Sequence, residues 1–198
     1  MKQDLFQGKY RIPSARLQSW DYGTNGMYFV TICTKDQYHF FGEVVAKKMN
    51  LSGVGILADV LWYEIKNHAQ HVTLGDFVIM PNHVHGILIL DQPDINDFNG
   101  RIDIHIVRDN ANRTKNQTNG DRKTIGQKRF QNQGKNTISS IVGSYKSAVT
   151  KHAHRLGFEF AWQPRFYDHI IRDHSSFLKI SEYIRNNPVT WEKDCFHN

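Results

Sequence analysis

The sequence of 198 residues lacks several features that mark whole classes of protein. It has only two cysteines, Cys33 and Cys195, which excludes a disulfide framework and a four-cysteine zinc site. No apolar run reaches the roughly 18 residues that a membrane-spanning helix needs, and no apolar stretch near the first residue marks a secretory signal. A glycine-rich phosphate-binding loop is also absent. We therefore expect a cytoplasmic protein without membrane contact, in which residues 1–198 form a single domain.

The positive charge is concentrated in one stretch of the chain. Residues 101–135 hold nine basic and three acidic side chains, which accounts for the whole net charge of +6. The same stretch is rich in Asn, Gln, Gly and Thr, so it cannot bury enough apolar surface to offset the entropy cost of ordering it. We predict a basic, flexible insertion over about residues 97–136. It is either a solvated linker or an arm that meets nucleic-acid phosphates.

The rest of the sequence alternates between strand and helix patterns. β-branched and aromatic residues predict strands at 27–34, 77–80, 83–90 and 160–171, with a short strand at 40–45. Apolar spacing of three and four residues predicts helices over 52–69 and 137–156 and a last helix that Asp173 or Ser175 caps and Pro188 ends. This order predicts an α+β protein with a ferredoxin-like antiparallel sheet and helices packed on it, interrupted by the basic insertion.

Two histidines in the strand 83–90 form the first candidate site. His83 and His85 are separated by one residue, and side chains two apart in a strand point to the same face. Paired imidazoles can hold one divalent ion, although two hydrogen-bonded histidines on a half-exposed strand explain the pattern equally simply. A histidine-triad hydrolase of small nucleotides needs a third histidine where this chain has Ile87.

Three tyrosines are candidate nucleophiles. Tyr183 lies in the last predicted helix three residues after Ile180, so its spacing also fits a packed core position. Tyr145 shares an apolar helical stripe, and Tyr167 lies in a predicted strand near His169. The residue pattern alone does not choose among them.

The segment Met80–Leu88, which reads MPNHVHGIL, resembles the histidine–hydrophobic–histidine (HUH) motif of the single-tyrosine transposases. More closely, the chain resembles the REP-associated tyrosine transposases, and the resemblance covers nearly the whole chain apart from the basic insertion. Further matching segments lie at 28–34, 41–43, 141–147, 162–163, 166–172 and 183–188.

The resemblance implies an HUH endonuclease fold and an activity, which is metal-dependent cleavage and joining of single-stranded DNA in transposition or a domesticated version of it. It implies that His83 and His85 bind magnesium or manganese and that Tyr183 is the nucleophile, forming a 5′-phosphotyrosine. It also implies a metal-binding amide at Asn187, with Asn186 as the competing position. Family members act on hairpins of repetitive extragenic palindromes, and related transposases work as dimers, so hairpin DNA and a homodimer are further expectations.

Basic side chains outside the insertion are candidates for phosphate contacts. They are equally explained as solubilising surface charge. They lie near the N-terminus and in the helix 137–156, and they are Arg11, Arg16, Lys146, Lys151 and Arg155. The alternative to an enzyme is a non-catalytic nucleic-acid-binding module on the same fold.

Overall fold

The structure is a computed structural model that describes residues 23–91 and 136–197. The predicted DNA contacts Arg11 and Arg16 lie outside the described residues, as does the predicted basic insertion apart from Asn136. The boundaries predicted for that insertion therefore stay a prediction.

The described residues form six strands and three α-helices. None of these helices has the length and apolar composition that crossing a membrane requires. In chain order the elements are β1 (Gly26–Cys33), β2 (Gly42–Val45), β3 (Lys48–Leu51), α1 (Gly53–His68), β4 (Val72–Met80), β5 (His83–Leu90), α2 (Ile138–Arg155), β6 (Tyr167–Ile171) and α3 (His174–Thr190). Single 3₁₀ turns follow β1 at Lys35–Gln37 and α3 at Trp191–Lys193.

Four of the strands form one antiparallel sheet in the order β4-β5-β1-β6. Without the separate β2–β3 hairpin, the chain order is βαββαβ, which is the ferredoxin-like arrangement. The predicted α+β class and ferredoxin-like sheet are therefore confirmed. The sequence pattern gave the first strand of the small hairpin but not β3.

Side chains at the predicted helix starts form N-caps. Ser52 accepts a hydrogen bond from the backbone of Gly55 at 3.1 Å, and Thr137 and Ser140 form a reciprocal capping box. Of the two candidates for the last helix, Asp173 is the cap, because its carboxylate accepts from the backbone of Ser176 at 2.8 Å.

Three predicted boundaries are wrong. The strand predicted over 77–80 begins at Val72. The strand predicted over 160–171 is confined to Tyr167–Ile171, because Phe160 and Trp162 instead pack into an aromatic cluster with Phe41. Pro188 does not end α3, which continues to Thr190. A proline in the last turn removes a single backbone hydrogen bond, and the hydroxyl of Thr190 donates to the carbonyl of Asn186 at 3.1 Å.

The sheet is covered on both faces. One face, with Val30 and Val84, packs against α1 and α2, and Trp62 fills the space over Gly86. The other face packs against α3, where Ile87 contacts a small core that includes Ile184. Since strand side chains alternate, the odd-numbered residues of β5 face α3. The fold thus turns His83 and His85 toward the last helix.

Candidate functional site

The two histidines of β5 lie side by side beneath α3. Their ring centroids are 4.3 Å apart, and His83 and His85 are 0% and 2% exposed. They share one face, as the strand period predicts, but they are more deeply buried than a half-exposed strand would make them.

Each imidazole is held through its Nδ1 atom. Nδ1 of His83 lies 2.8 Å from the side-chain oxygen of Asn82, and Nδ1 of His85 lies 2.9 Å from the hydroxyl of Thr31. These contacts leave both Nε2 atoms directed into the space under α3. Among the described residues, Nε2 of His83 is buried and has no hydrogen-bond partner.

Burial keeps both imidazoles neutral at physiological pH. It lowers the pKa of His83 well below the usual 6.5, and the neighbouring His85 lowers it further. Burial also lowers the pKa of His85 to about 4, even though the nearby Asp194 carboxylate acts in the opposite direction. A neutral imidazole offers a lone pair on the nitrogen that carries no proton, which is the form that binds metal ions.

Tyr183 reaches this pair from α3. Its hydroxyl lies 3.1 Å from Nε2 of His85 and donates to a carboxylate oxygen of Asp194 at 3.4 Å. The side chain is 42% exposed, so it is not the packed core residue that the spacing also allowed. Partial burial and the Asp194 carboxylate raise the pKa of Tyr183 to about 12, so the hydroxyl keeps its proton at neutral pH.

The other two tyrosines are placed differently. Tyr145 is 3% exposed, and its hydroxyl donates to the backbone carbonyl of Ala58 at 3.0 Å, which makes it a core residue. Tyr167 is 51% exposed at the start of β6, paired with Thr31 of β1. Among these three tyrosines, Tyr183 is the one whose hydroxyl contacts a histidine of the pair.

Asn187 lies one helical turn after Tyr183 and is fully buried, whereas Asn186 is exposed. The structure therefore brings Asn187 to the site and leaves its competitor on the surface. The amide nitrogen of Asn187 donates to Asp194 at 2.7 Å. Its amide oxygen is buried and has no hydrogen-bond partner among the described residues.

Asp194 is a site residue that the sequence reasoning missed. Its carboxylate receives hydrogen bonds from Asn187, Tyr183 and the backbone of Phe196. It lies after the last helix, where no hydrophobic period or motif marks it. Only ligand chemistry could have indicated it: a hard cation such as magnesium prefers carboxylate oxygen to imidazole alone, so a nearby Asp or Glu was to be expected.

The segment after α3, residues 191–197, covers the imidazoles. The ring of Phe196 lies 4.5 Å from that of His83 and 5.9 Å from that of His85, centroid to centroid. The backbone carbonyl of Phe196 accepts from the amide of Asn82 at 2.8 Å. This segment explains why two residues on the face of a sheet are almost completely buried.

The donor set of this site fits a divalent cation. One ligand atom each from His83, His85 and Asp194 lie within 4.8 Å of one another. Two further observations point to a ligand there, namely the unpartnered Nε2 of His83 and the unpartnered amide oxygen of Asn187. Buried polar atoms without partners are rare in folded proteins, and a bound ion is one way to supply the missing partners. The oxygen donors suit magnesium or manganese, whereas imidazole also suits zinc, iron and nickel, so the donor set does not choose one metal.

The predicted DNA contacts on α2 are placed apart from this site. Nζ of Lys146 donates to the backbone carbonyls of Gln163 and Arg165 at 2.8 and 3.0 Å, so this side chain already has partners. Lys151 and Arg155 are exposed. Because α2 packs on the sheet face opposite the histidines, these cations do not line the candidate site.

The chain is similar to known proteins in sequence and in fold. No protein-family model matches the chain. Over 182 residues the chain is 35% identical to an uncharacterized protein from Haemophilus influenzae strain Rd, covering 91% of this chain and 90% of that protein.

A solved structure of a REP-associated tyrosine transposase bound to a REP hairpin aligns with 90% of this chain and 74% of that chain. The TM-score is 0.53 and the sequence identity is 17%. The similarity to that transposase shows a shared fold, and the resemblance predicted from the sequence is confirmed at that level.

Proposed function

We propose that this chain, which belongs to the same family as the Haemophilus influenzae protein and has the fold of the REP-associated tyrosine transposase, cleaves and rejoins single-stranded DNA. The proposed nucleophile is Tyr183, the covalent intermediate is a 5′-phosphotyrosine, and the cofactor is magnesium or manganese. The activity would serve DNA transposition or a domesticated form of it.

One observation carries the proposal. The hydroxyl of Tyr183 lies 3.1 Å from Nε2 of His85. His85 forms a pair of buried neutral imidazoles with His83, whose Nε2 has no hydrogen-bond partner among the described residues. A tyrosine that only stabilised the fold would not need both an imidazole and a carboxylate at its hydroxyl. Catalytic and metal-binding groups that converge in this way are the usual mark of a reaction centre.

His83, His85 and Asp194 would hold the ion, and the amide oxygen of Asn187 would add a further ligand. A divalent cation at this place supplies positive charge that polarises and orients a DNA phosphate. Two neutral imidazoles leave most of that charge uncancelled. The single carboxylate of Asp194 adds the oxygen donor that a hard cation prefers.

The attack by Tyr183 requires transfer of its hydroxyl proton. Because its pKa is raised to about 12, the hydroxyl ionises only if a neighbouring group accepts the proton as attack proceeds. The carboxylate of Asp194, 3.4 Å away, is one such acceptor. The tyrosine oxygen bonds to phosphorus, the bond from phosphorus to the 3′-oxygen breaks, and the departing 3′-oxygen takes a proton from water or from the protonated Asp194 to become a 3′-hydroxyl. Rejoining reverses these steps without ATP, because the tyrosyl phosphodiester keeps the energy of the broken bond.

The proposed substrate is single-stranded DNA that carries a hairpin, by analogy with the REP hairpin bound to the related structure. Lys151 lies beside Trp162 in a shallow groove on α2, where a phosphate and an unpaired base could bind together. Arg155, Arg11, Arg16 and the basic insertion at 97–136 are further proposed phosphate contacts. We also propose that residues 1–198 form one transposase-like domain that acts as a homodimer.

The test is a cleavage reaction with manganese and hairpin DNA labelled at both ends, resolved on a denaturing gel. Wild-type protein is expected to give a shorter DNA product and a labelled band at protein mass, both abolished by chelator. The Tyr183→Phe variant should bind the DNA but give neither band, while the matched control Tyr167→Phe should retain both. Binding by the wild type with no product in any divalent metal would instead favour a nucleic-acid-binding module.

A further inference from the structure

We propose that Asn82 is a positioning residue that sets the geometry of the metal site through both ends of its amide. It would hold His83 so that Nε2 faces the ion, and it would hold the segment that delivers Asp194. This inference rests on the proposed function, since it assigns a role in the same site.

Asn82 sets the tautomer of His83. The amide nitrogen of Asn82 donates to the carbonyl of Phe196 at 2.8 Å, which fixes the orientation of the amide. The amide oxygen then faces Nδ1 of His83 at 2.8 Å. An amide oxygen can only accept, so Nδ1 carries the proton and Nε2 carries the lone pair. That Nε2 atom is the buried atom without a partner.

Asn82 is itself rigidly held. It is fully buried in the two-residue turn between β4 and β5. Its backbone carbonyl accepts from both the backbone and the hydroxyl of Thr34, each at 2.9 Å. A residue fixed at its backbone and at both ends of its side chain loses little entropy when it orients a neighbour, which suits it to second-sphere support of a metal ligand.

Asn82 also holds the segment that carries Asp194. The carbonyl of Phe196 accepts from Asn82, and the backbone nitrogen of Phe196 donates to the other carboxylate oxygen of Asp194 at 2.9 Å. Asn82 therefore anchors the short segment that carries this carboxylate to the histidines. One amide supports a ligand on the sheet and a ligand beyond the last helix.

Thr31, which contacts the second histidine, provides a matched comparison. Its hydroxyl lies 2.9 Å from Nδ1 of His85 and can either donate or accept. The hydroxyl therefore does not dictate the tautomer of His85. Asn82 differs from Thr31 in two ways. The atom that it turns to the imidazole is an oxygen that can only accept, and its amide nitrogen makes a second contact, to the segment 191–197.

The experiment measures manganese binding and the state of the ring nitrogens in the full chain without DNA. Asn82→Leu removes both amide contacts at similar volume, and Asn82→Asp keeps the acceptor facing His83 but removes the donor to Phe196. Thr31→Val removes one buried polar contact at the site without touching Asn82. Manganese affinity is measured by calorimetry, and the His83 tautomer is measured by ¹⁵N NMR of the metal-free protein at pH 7.5.

We expect wild-type His83 to carry its proton on Nδ1. Asn82→Leu should lose this preference and bind manganese about 10- to 100-fold more weakly, as second-sphere substitutions do. Asn82→Asp should keep the tautomer, and Thr31→Val should lose less affinity than Asn82→Leu. A folded Asn82→Leu with wild-type affinity would overturn the inference, and so would wild-type His83 protonated on Nε2.

The tautomer separates this inference from the proposed function. If wild-type protein binds no manganese, the proposed metal chemistry fails, whereas the tautomer still decides the role of Asn82 toward His83. If Asn82→Leu does not fold, the wild-type tautomer and the folded Asn82→Asp variant decide it.

Discussion

The hydroxyl of Tyr183 lies 3.1 Å from Nε2 of His85. This contact links the last helix to a central strand, and the ring of Tyr183 lies beside that imidazole, tilted by 55° at a centroid distance of 5.3 Å. Whatever binds at Nε2 of His85 therefore meets the tyrosine oxygen directly. The proposed metal site and nucleophile are thus one structural unit.

Replacing the carboxylate at the edge of this unit tests its place in the metal site. Asp194→Asn keeps the shape but removes the charge, so manganese affinity should fall by about tenfold or more. Calorimetric titration of the full chain without DNA measures it. The control Asp173→Asn changes a helix cap distant from the histidines and should leave the affinity unchanged. Equal affinity in wild type and Asp194→Asn would remove Asp194 from the ligand set.

Burial of His85 predicts an acid-sensitive free energy of unfolding for the metal-free protein. Its pKa is about 4 in the folded chain and 6.5 when free, so below pH 6.5 protons bind the unfolded chain preferentially. The stabilisation is complete above pH 6.5 and is lost as the pH falls toward 4, which amounts to roughly 3 kcal/mol.

The measurement is urea denaturation of wild type and His85→Gln across this range. The variant lacks the titrating ring, so its free energy of unfolding should fall less steeply, by up to about 1.4 kcal/mol per pH unit. Parallel curves for the two proteins would show that His85 is not buried as neutral imidazole.

Gly86, the glycine of β5 that faces α1, tests the packing that supports the site. A Cβ atom at Gly86 would lie 2.2 Å from the ring of Trp62, which is fully buried between Phe77 and Tyr145. Gly86→Ala should therefore destabilise the protein by about 1–3 kcal/mol.

The control is a glycine in open space. A Cβ at Gly143, exposed on α2, meets nothing within 4 Å, so Gly143→Ala should stabilise the helix by about 0.5–1 kcal/mol. Chemical denaturation of both variants gives the comparison. A Gly86→Ala protein as stable as the wild type would contradict the packing of Trp62 on β5.

The role of Lys151 in DNA binding is tested by salt. If this exposed side chain contacts a phosphate, Lys151→Ala should weaken binding to all hairpins alike and lower the slope of log K against log salt by about 1. Lys66→Ala, an exposed charge on α1, is the matched control and should leave the slope unchanged. Identical slopes for wild type and Lys151→Ala would show that the charge only solubilises the surface.

The sequence pattern predicted correctly which side chains share a face of one strand or one helix. The alternation of β5 placed His83 and His85 on one face, and helical spacing placed Asn187 one turn beyond Tyr183. The ferredoxin-like order followed from the succession of strands and helices. These predictions hold because side-chain direction within one element is set by backbone geometry.

The missed features depend on contacts between distant parts of the chain. Asp194 and Phe196 have no periodic pattern, and they reach the histidines only because α3 ends over the sheet. The bond from Asn82 to Phe196 spans 114 positions in the sequence. The continuation of α3 past Pro188 was missed because a proline in the last turn removes only one backbone hydrogen bond.

The central claim is that Tyr183 forms a covalent bond to DNA, and mass spectrometry of the adduct tests it most directly. Wild-type protein is incubated with hairpin DNA and manganese, the bound DNA is trimmed with nuclease, and the tryptic peptides are sequenced. The account predicts a nucleotide attached through phosphate to Tyr183, with no adduct in the Tyr183→Phe protein. An adduct at Tyr167, or DNA cleavage without any tyrosine adduct, would contradict it.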